Sequence, residues 1–168
     1  SGLEIDKGRG NAVKIINRVL LGLTDIGVRL AAIDGGNKHN AIPREAEALL
    51  YIPNKKLDAA AKFVAEYNAT IKSEFATVEP DLTISLIVMK GGKKGKVVKK
   101  AQQAKLLQTI SALPHGVIKM SAEIPGLVET STNVAVVKTG KKTIEIATSQ
   151  RSSVASENLE ICHTVASV

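Results

Sequence analysis

Apolar residues recur early in the chain with a period near 3.6. Ala12, Ile16, Val19, Leu20 and Leu23 oppose Lys14, Asn17 and Arg18, which predicts an amphipathic helix over 7–23. Gly8 and Gly10 delay its first turn to about Asn11, and Asp25 and Gly27 close it. The period then drops to two. Val28, Leu30 and Ala32 predict a strand buried on one face, and Ile42, Ala46, Ala48, Leu50 and Ile52 share one face of a second. Gly35-Gly36-Asn37 joins them as a hairpin, since Gly and Asn tolerate positive φ. Pro43 has no N–H, so the second strand begins unpaired or lies at an edge.

Asn54 is the expected N-cap of a second long helix, with Leu57, Ala60, Ala61, Val64, Ile71 and Phe75 on its buried side and Pro80 beyond its end. Leu82, Ile84, Leu86 and Val88 alternate as a third strand. A third helix is expected over 97–113, its stripe made of Val97, Ala101, Ala104, Leu107 and Ile110, with Pro114 as the stop. Val117 and Ile118 read as a short strand, and Pro125-Gly126 as a turn. Val128, Val134 and Val136 form a strand that turns at Thr139-Gly140-Lys141 to pair with Ile144, Ile146 and Thr148. A closing helix from about 152 carries Val154, Ile161 and Val165. Hairpin-linked strands with long amphipathic helices predict an α+β fold: an antiparallel β-sheet covered by helices on one face, a ferredoxin-like two-layer sandwich with an inserted helix. The chain reads as a single domain over 1–168, with an insertion at 90–126.

Composition narrows this further. Aromatic residues make up 2% of the chain and Trp is absent, so the core must be aliphatic. No apolar run reaches the ~18 residues of a membrane-spanning helix. A single cysteine, Cys162, excludes an internal disulfide and favours a reducing compartment. The net charge of +7 raises a nucleic-acid reading, concentrated in the run Lys90–Lys100. That run has no aromatic platform for stacking bases and reads more simply as a solvated loop entering a helix. A small basic RNA-binding module therefore stands as the alternative function.

Candidate chemistry is sparse. His39, His115 and His163 have no metal-ligand neighbour at helical or hairpin spacing, and Cys162 beside His163 does not make a dyad. Glu45 and Glu47 lie two apart on one strand face, without a visible cleft. Gly-x-Ser-x-Gly is absent, and neither Gly8-Arg9-Gly10 nor the Gly91–Lys96 stretch has phosphate-loop spacing. The residues alone do not make a self-sufficient enzyme.

Four stretches, in order from one end to the other, carry a resemblance. They are Ser1-Gly2-Leu3-Glu4-Ile5 with Gly8–Ala12; Gly35-Gly36 with Asn40-Ala41-Ile42-Pro43-Arg44-Glu45-Ala46; Val128–Val137, which contains Thr130-Ser131-Thr132-Asn133; and Arg151-Ser152. Together they resemble the lid, or dimerisation, domain of bacterial aminoacyl-histidine dipeptidases, zinc enzymes that cleave Xaa-His dipeptides and are related to carnosinases. The resemblance implies a non-catalytic insert that closes over the active site of a separate catalytic domain in the same polypeptide. It implies zinc in that other domain and no cofactor in this chain, a homodimer formed through the lid, a dipeptide substrate, and a cytoplasmic location without nucleic acid or membrane. The family's His-x-Asp and Glu-Glu zinc motifs do not occur here. If Ser1-Gly2 is the tail of the family's His-Ser-Gly, its histidine would precede this chain.

Three residues are singled out by the same resemblance as substrate-binding. Arg151 matches an arginine used on the substrate carboxylate, where a planar guanidinium can fork. Asn40 and Asn133 match asparagines of the second and third stretches, able to donate and accept at once. Without a family frame, Arg151 would read as a surface arginine, Asn40 as a turn residue ahead of Pro43, and Asn133 as a strand-edge hydrogen bond. No residue is expected to be catalytic or to bind a metal.

Overall fold

The computed structural model describes residues 2–89 and 95–168. Ser1 and the Lys90–Lys94 part of the basic run lie outside the described residues. A 3-10 turn over Gly2–Lys7 leads into helix α1, Ala12–Ile26. Asn11 caps it by accepting the Lys14 N–H at 3.1 Å, and Gly27 ends it with a φ of 99°. Both boundaries agree with the sequence pattern. Strand β1, Arg29–Gly35, runs antiparallel to β2, Ala46–Tyr51, with Gly35 opposite Ala46. The connection spans 36–45, longer than the expected Gly-Gly-Asn turn. Its Pro43 carbonyl accepts the Ala12 N–H at 3.0 Å, which holds Pro43 beside α1 and out of the strand. A bulge between Leu30 and Ala32 shifts the alternation, so Leu30 and Ile33 are the core residues of β1.

Helix α2, Leu57–Glu74, follows a 3-10 turn at Asn54–Lys56, and no side chain caps it. Asn54 is thus not its N-cap, because the tighter turn displaces the helix start by three residues. Residues 82–88 do not form the expected strand. Leu82, Ile84 and Leu86 are half-buried and their neighbours exposed, but the alternation rests on helices. Ile84 and Leu86 pack on a cluster of Val19, Leu23, Val28, Ala60 and Val64. The Ile84 N–H donates to the Asn68 side-chain oxygen at 2.7 Å. A period of two reports a half-buried extended chain; a strand also needs a neighbour to share its hydrogen bonds.

Helix α3, Lys100–Ala112, buries Gln103, Leu107 and Ile110, while Ala101 stays exposed. It is followed by β3, Gly116–Met120; β4, Val128–Thr139; β5, Ile144–Ser152; and α4, Ala155–Ala166, whose Ile161 is buried. Val154, expected in the apolar face of α4, is exposed at its entrance. The five strands form one antiparallel sheet. Ser131 of β4 pairs with both Val117 and Arg151, and Val137 with both Gly35 and Ile146. A residue has only two flanks, so β5 runs along one edge of β4 while β3 and β1 share the other. The main core joins Val13, Leu20, Leu107 and Ile110 of the helices to Leu30, Ile33, Val134 and Val137 of the sheet. It is aliphatic, as composition requires.

Candidate functional site

Central strand β4 is buried from Glu129 through Ala135, although four consecutive residues, Thr130-Ser131-Thr132-Asn133, are polar. Period two splits them between the faces. On one face Thr132 accepts from the Gln150 amide at 3.1 Å, and Thr130 pairs with the Ser152 hydroxyl at 2.9 Å. On the other, Ser131 lies opposite Arg151 and Asn133 opposite Ser149 in the β4–β5 register. These four, with Asn40 and Ile5, line a hollow of about 10 Å³. That is space for about one water.

The hollow's wall on the β1–β2 side is the loop 37–42. Asn133 holds it there, since its side-chain Nδ2 donates to the Ala41 carbonyl at 2.8 Å. The same side chain leaves Oδ1 without a hydrogen-bond partner while Asn133 is only 7% exposed. An orphaned buried acceptor costs about 1–3 kcal/mol, so the hollow is a place where an incoming N–H would be favoured. Arg151 and Asn40 are exposed at its rim. Gly36, with a φ of 75°, lets the loop cross the sheet, because a Cβ there would collide with the Ala135 carbonyl.

Asn40, Asn133 and Arg151, distant in sequence, are therefore brought together. Ser131, Ser149 and Ile5 were not anticipated. The two serines lie two residues before Asn133 and Arg151, a usable signal once the register of β4 against β5 is known. Glu45 and Glu47 are exposed and take no part. Among the described residues, no three of His, Cys, Asp and Glu come together as a metal-binding group. His39 and His163 are exposed, and His115 is half-buried, its pKa lowered to about 4 by burial and by the Lys14 charge. No helix among the described residues is long and apolar enough to cross a membrane.

Residues 1–79 match the model of the peptidase dimerisation domain. The cytosol non-specific dipeptidase of Escherichia coli (strain K12) is 36% identical over 147 residues, which is 87% of this chain and 30% of that protein. The crystal structure of aminoacylhistidine dipeptidase from Vibrio alginolyticus superposes with a TM-score of 0.91 at 33% identity, covering 98% of this chain and 33% of that one. The chain thus spans roughly a third of the length of these relatives.

Proposed function

We propose that this chain, whose residues 1–79 match the peptidase dimerisation domain and which is similar to about a third of two dipeptidases, serves as the non-catalytic lid and dimerisation domain of a zinc-dependent Xaa-His dipeptidase. One observation carries the reading: Asn40, Asn133 and Arg151, from a loop and two strands, meet at one hollow. Their chemistry suits the carboxyl end of a dipeptide. The Arg151 guanidinium can fork onto a carboxylate, and the orphaned Asn133 Oδ1 can accept a nearby N–H. Asn40 at the rim can do either. Hydrolysis and zinc would belong to a separate catalytic domain of the same polypeptide, for the described residues offer no ligand set that fits the metal. This chain's part would be to orient the substrate and exclude water as the lid closes. The enzyme would act in the cytoplasm as a homodimer paired through these domains.

The test uses the full-length enzyme with a free dipeptide and the same dipeptide amidated at its C-terminus. Arg151→Ala is expected to lower kcat/KM on the free dipeptide about ten- to a hundredfold, the loss of a charge-assisted fork worth roughly 1.5–3 kcal/mol. It should leave the amidated substrate nearly unaffected. Arg151→Lys should recover only part, because a point charge does not reproduce the fork. Equal losses on both substrates would remove Arg151 from the carboxylate and the reading with it.

A further inference from the structure

A cavity of about 380 Å³ lies between α1 and the end of α3 with the residues that follow it, and shares no lining residue with the hollow above. Arg9, Lys14 and Arg18 line it, together with Asn11, Phe75 and His115, and no Asp or Glu does. Two of the cations are fully engaged. Lys14 Nζ donates to the carbonyls of Ile110, Ser111 and Leu113 at 2.7–2.9 Å, and Arg18 forks onto Glu74 at 2.7 and 2.8 Å. Arg9 is held far more loosely. Its nearest oxygens are the Val78 carbonyl at 3.4 Å, Glu79 at 3.7 Å and Glu4 at 3.8 Å, and Glu79 is itself forked by Arg44 at 2.8 and 3.1 Å.

The second donor follows from a fixed tautomer. Asn11 Oδ1 accepts the Lys14 N–H, so its Nδ2 is the amide nitrogen that donates to the Val134 carbonyl at 2.9 Å. The same Nδ2 lies 3.2 Å from His115 Nδ1, which must therefore be the unprotonated ring nitrogen. The His115 proton sits on Nε2, turned away from Asn11, and no hydrogen bond among the described residues uses it. An imidazole N–H, a loosely held guanidinium and two fixed positive charges thus meet around a space walled by Ile15 and Phe75. We propose that this cleft is a binding site for a small organic oxyanion, a carboxylate or phosphate carried on an apolar body, received by Arg9 and by His115 Nε2–H. The lowered pKa of His115 fits, since it keeps the ring neutral at pH 7 while Asn11 selects the tautomer.

The probes are phenyl phosphate, benzoate and, as a neutral match, benzyl alcohol, added to the labelled 168-residue chain at pH 7.5. The readout is the side-chain magnetic resonance of its three histidines. The His115 signals are assigned as the ones that vanish in a His115→Gln chain. Its signals should move saturably with at least one of the two anions, while His39, His163 and the benzyl alcohol titration stay flat. The tighter of the two anions identifies the phosphate or the carboxylate as the natural head group. Arg9→Gln should weaken the response about tenfold, Arg9→Lys should fall between, and the exposed Lys62→Gln should match wild type. A silent His115 with both anions, an equal response to benzyl alcohol, or an Arg9→Gln chain that titrates like wild type would each overturn the site.

Discussion

Gly36 and His115 show how far single residues can be read. Gly36 was legible as a positive-φ position from Gly-Gly-Asn, but Ala135, the residue that makes it indispensable, lies about a hundred positions away. Gly36→Ala is expected to cost at least about 2 kcal/mol, combining left-handed strain with the collision; urea unfolding midpoints measure it. A variant as stable as wild type would mean that the loop bearing Asn40 is not pressed onto β4. His115 makes stability depend on pH. Its folded pKa, about 4, lies below the unfolded value near 6.5, so below pH 6.5 the unfolded chain takes up a proton that the folded chain refuses. Stability should be full above pH 6.5 and fall by up to about 1.4 kcal/mol per unit down to about pH 4. His115→Gln should flatten that limb of the profile. Nothing in the neighbours Pro114 and Gly116 foretells this, since the groups that act on the ring, Asn11 and Lys14, lie about a hundred positions away.

At the scale of elements, α3 is docked as much by polar side chains as by its apolar stripe. Lys14 and Asn17 occupy the polar face of the α1 pattern and read as solvent-facing. Instead, Lys14 holds three carbonyls at the end of α3, and Asn17 donates to the Leu107 carbonyl and the Ser111 hydroxyl. Gln103 reaches across from α3, accepting the Leu30 N–H at 2.9 Å and donating to the Val28 carbonyl and Thr24 hydroxyl. Burial lowers the pKa of Lys14, and the three carbonyls are what justify placing its ammonium there. Lys14→Met is expected to destabilise by roughly 2–3 kcal/mol and to speed hydrogen exchange at the end of α3 more than in β4. Uniform acceleration across the chain would contradict a local anchoring role. Gln103→Leu should cost a similar amount, roughly 1–3 kcal/mol, by orphaning the Leu30 N–H and the Val28 carbonyl.

For the molecule as a whole, the arrangement of the strands leaves outer edges on β2, β3 and β5. Exposed edges offer unpaired backbone groups, and two-fold pairing of like surfaces is the usual way they are satisfied. On the proposed lid and dimerisation role, the chain should therefore self-associate. Sedimentation over a wide concentration range is expected to show a monomer–dimer equilibrium, and a strict monomer at high concentration would place the pairing elsewhere in a longer protein.

The α+β class, the aliphatic core, the limits of α1 and the hairpin partnership of β4 and β5 are all legible in the order of residues. Each is a local matter: a periodicity, a cap, or a turn joining neighbours. The family resemblance, also carried by sequence, pointed to Asn40, Asn133 and Arg151, but not to their meeting. Folding in three dimensions sets residues 82–88 against helices, buries Ile33 through the bulge in β1, and places β1 and β3 along one edge of β4. Folding likewise lets Asn133 tie down Ala41 and Asn11 fix the proton of His115. In every such case the partner is remote in the chain. A side chain's polarity says that it needs a partner; chain topology and register decide which one it gets.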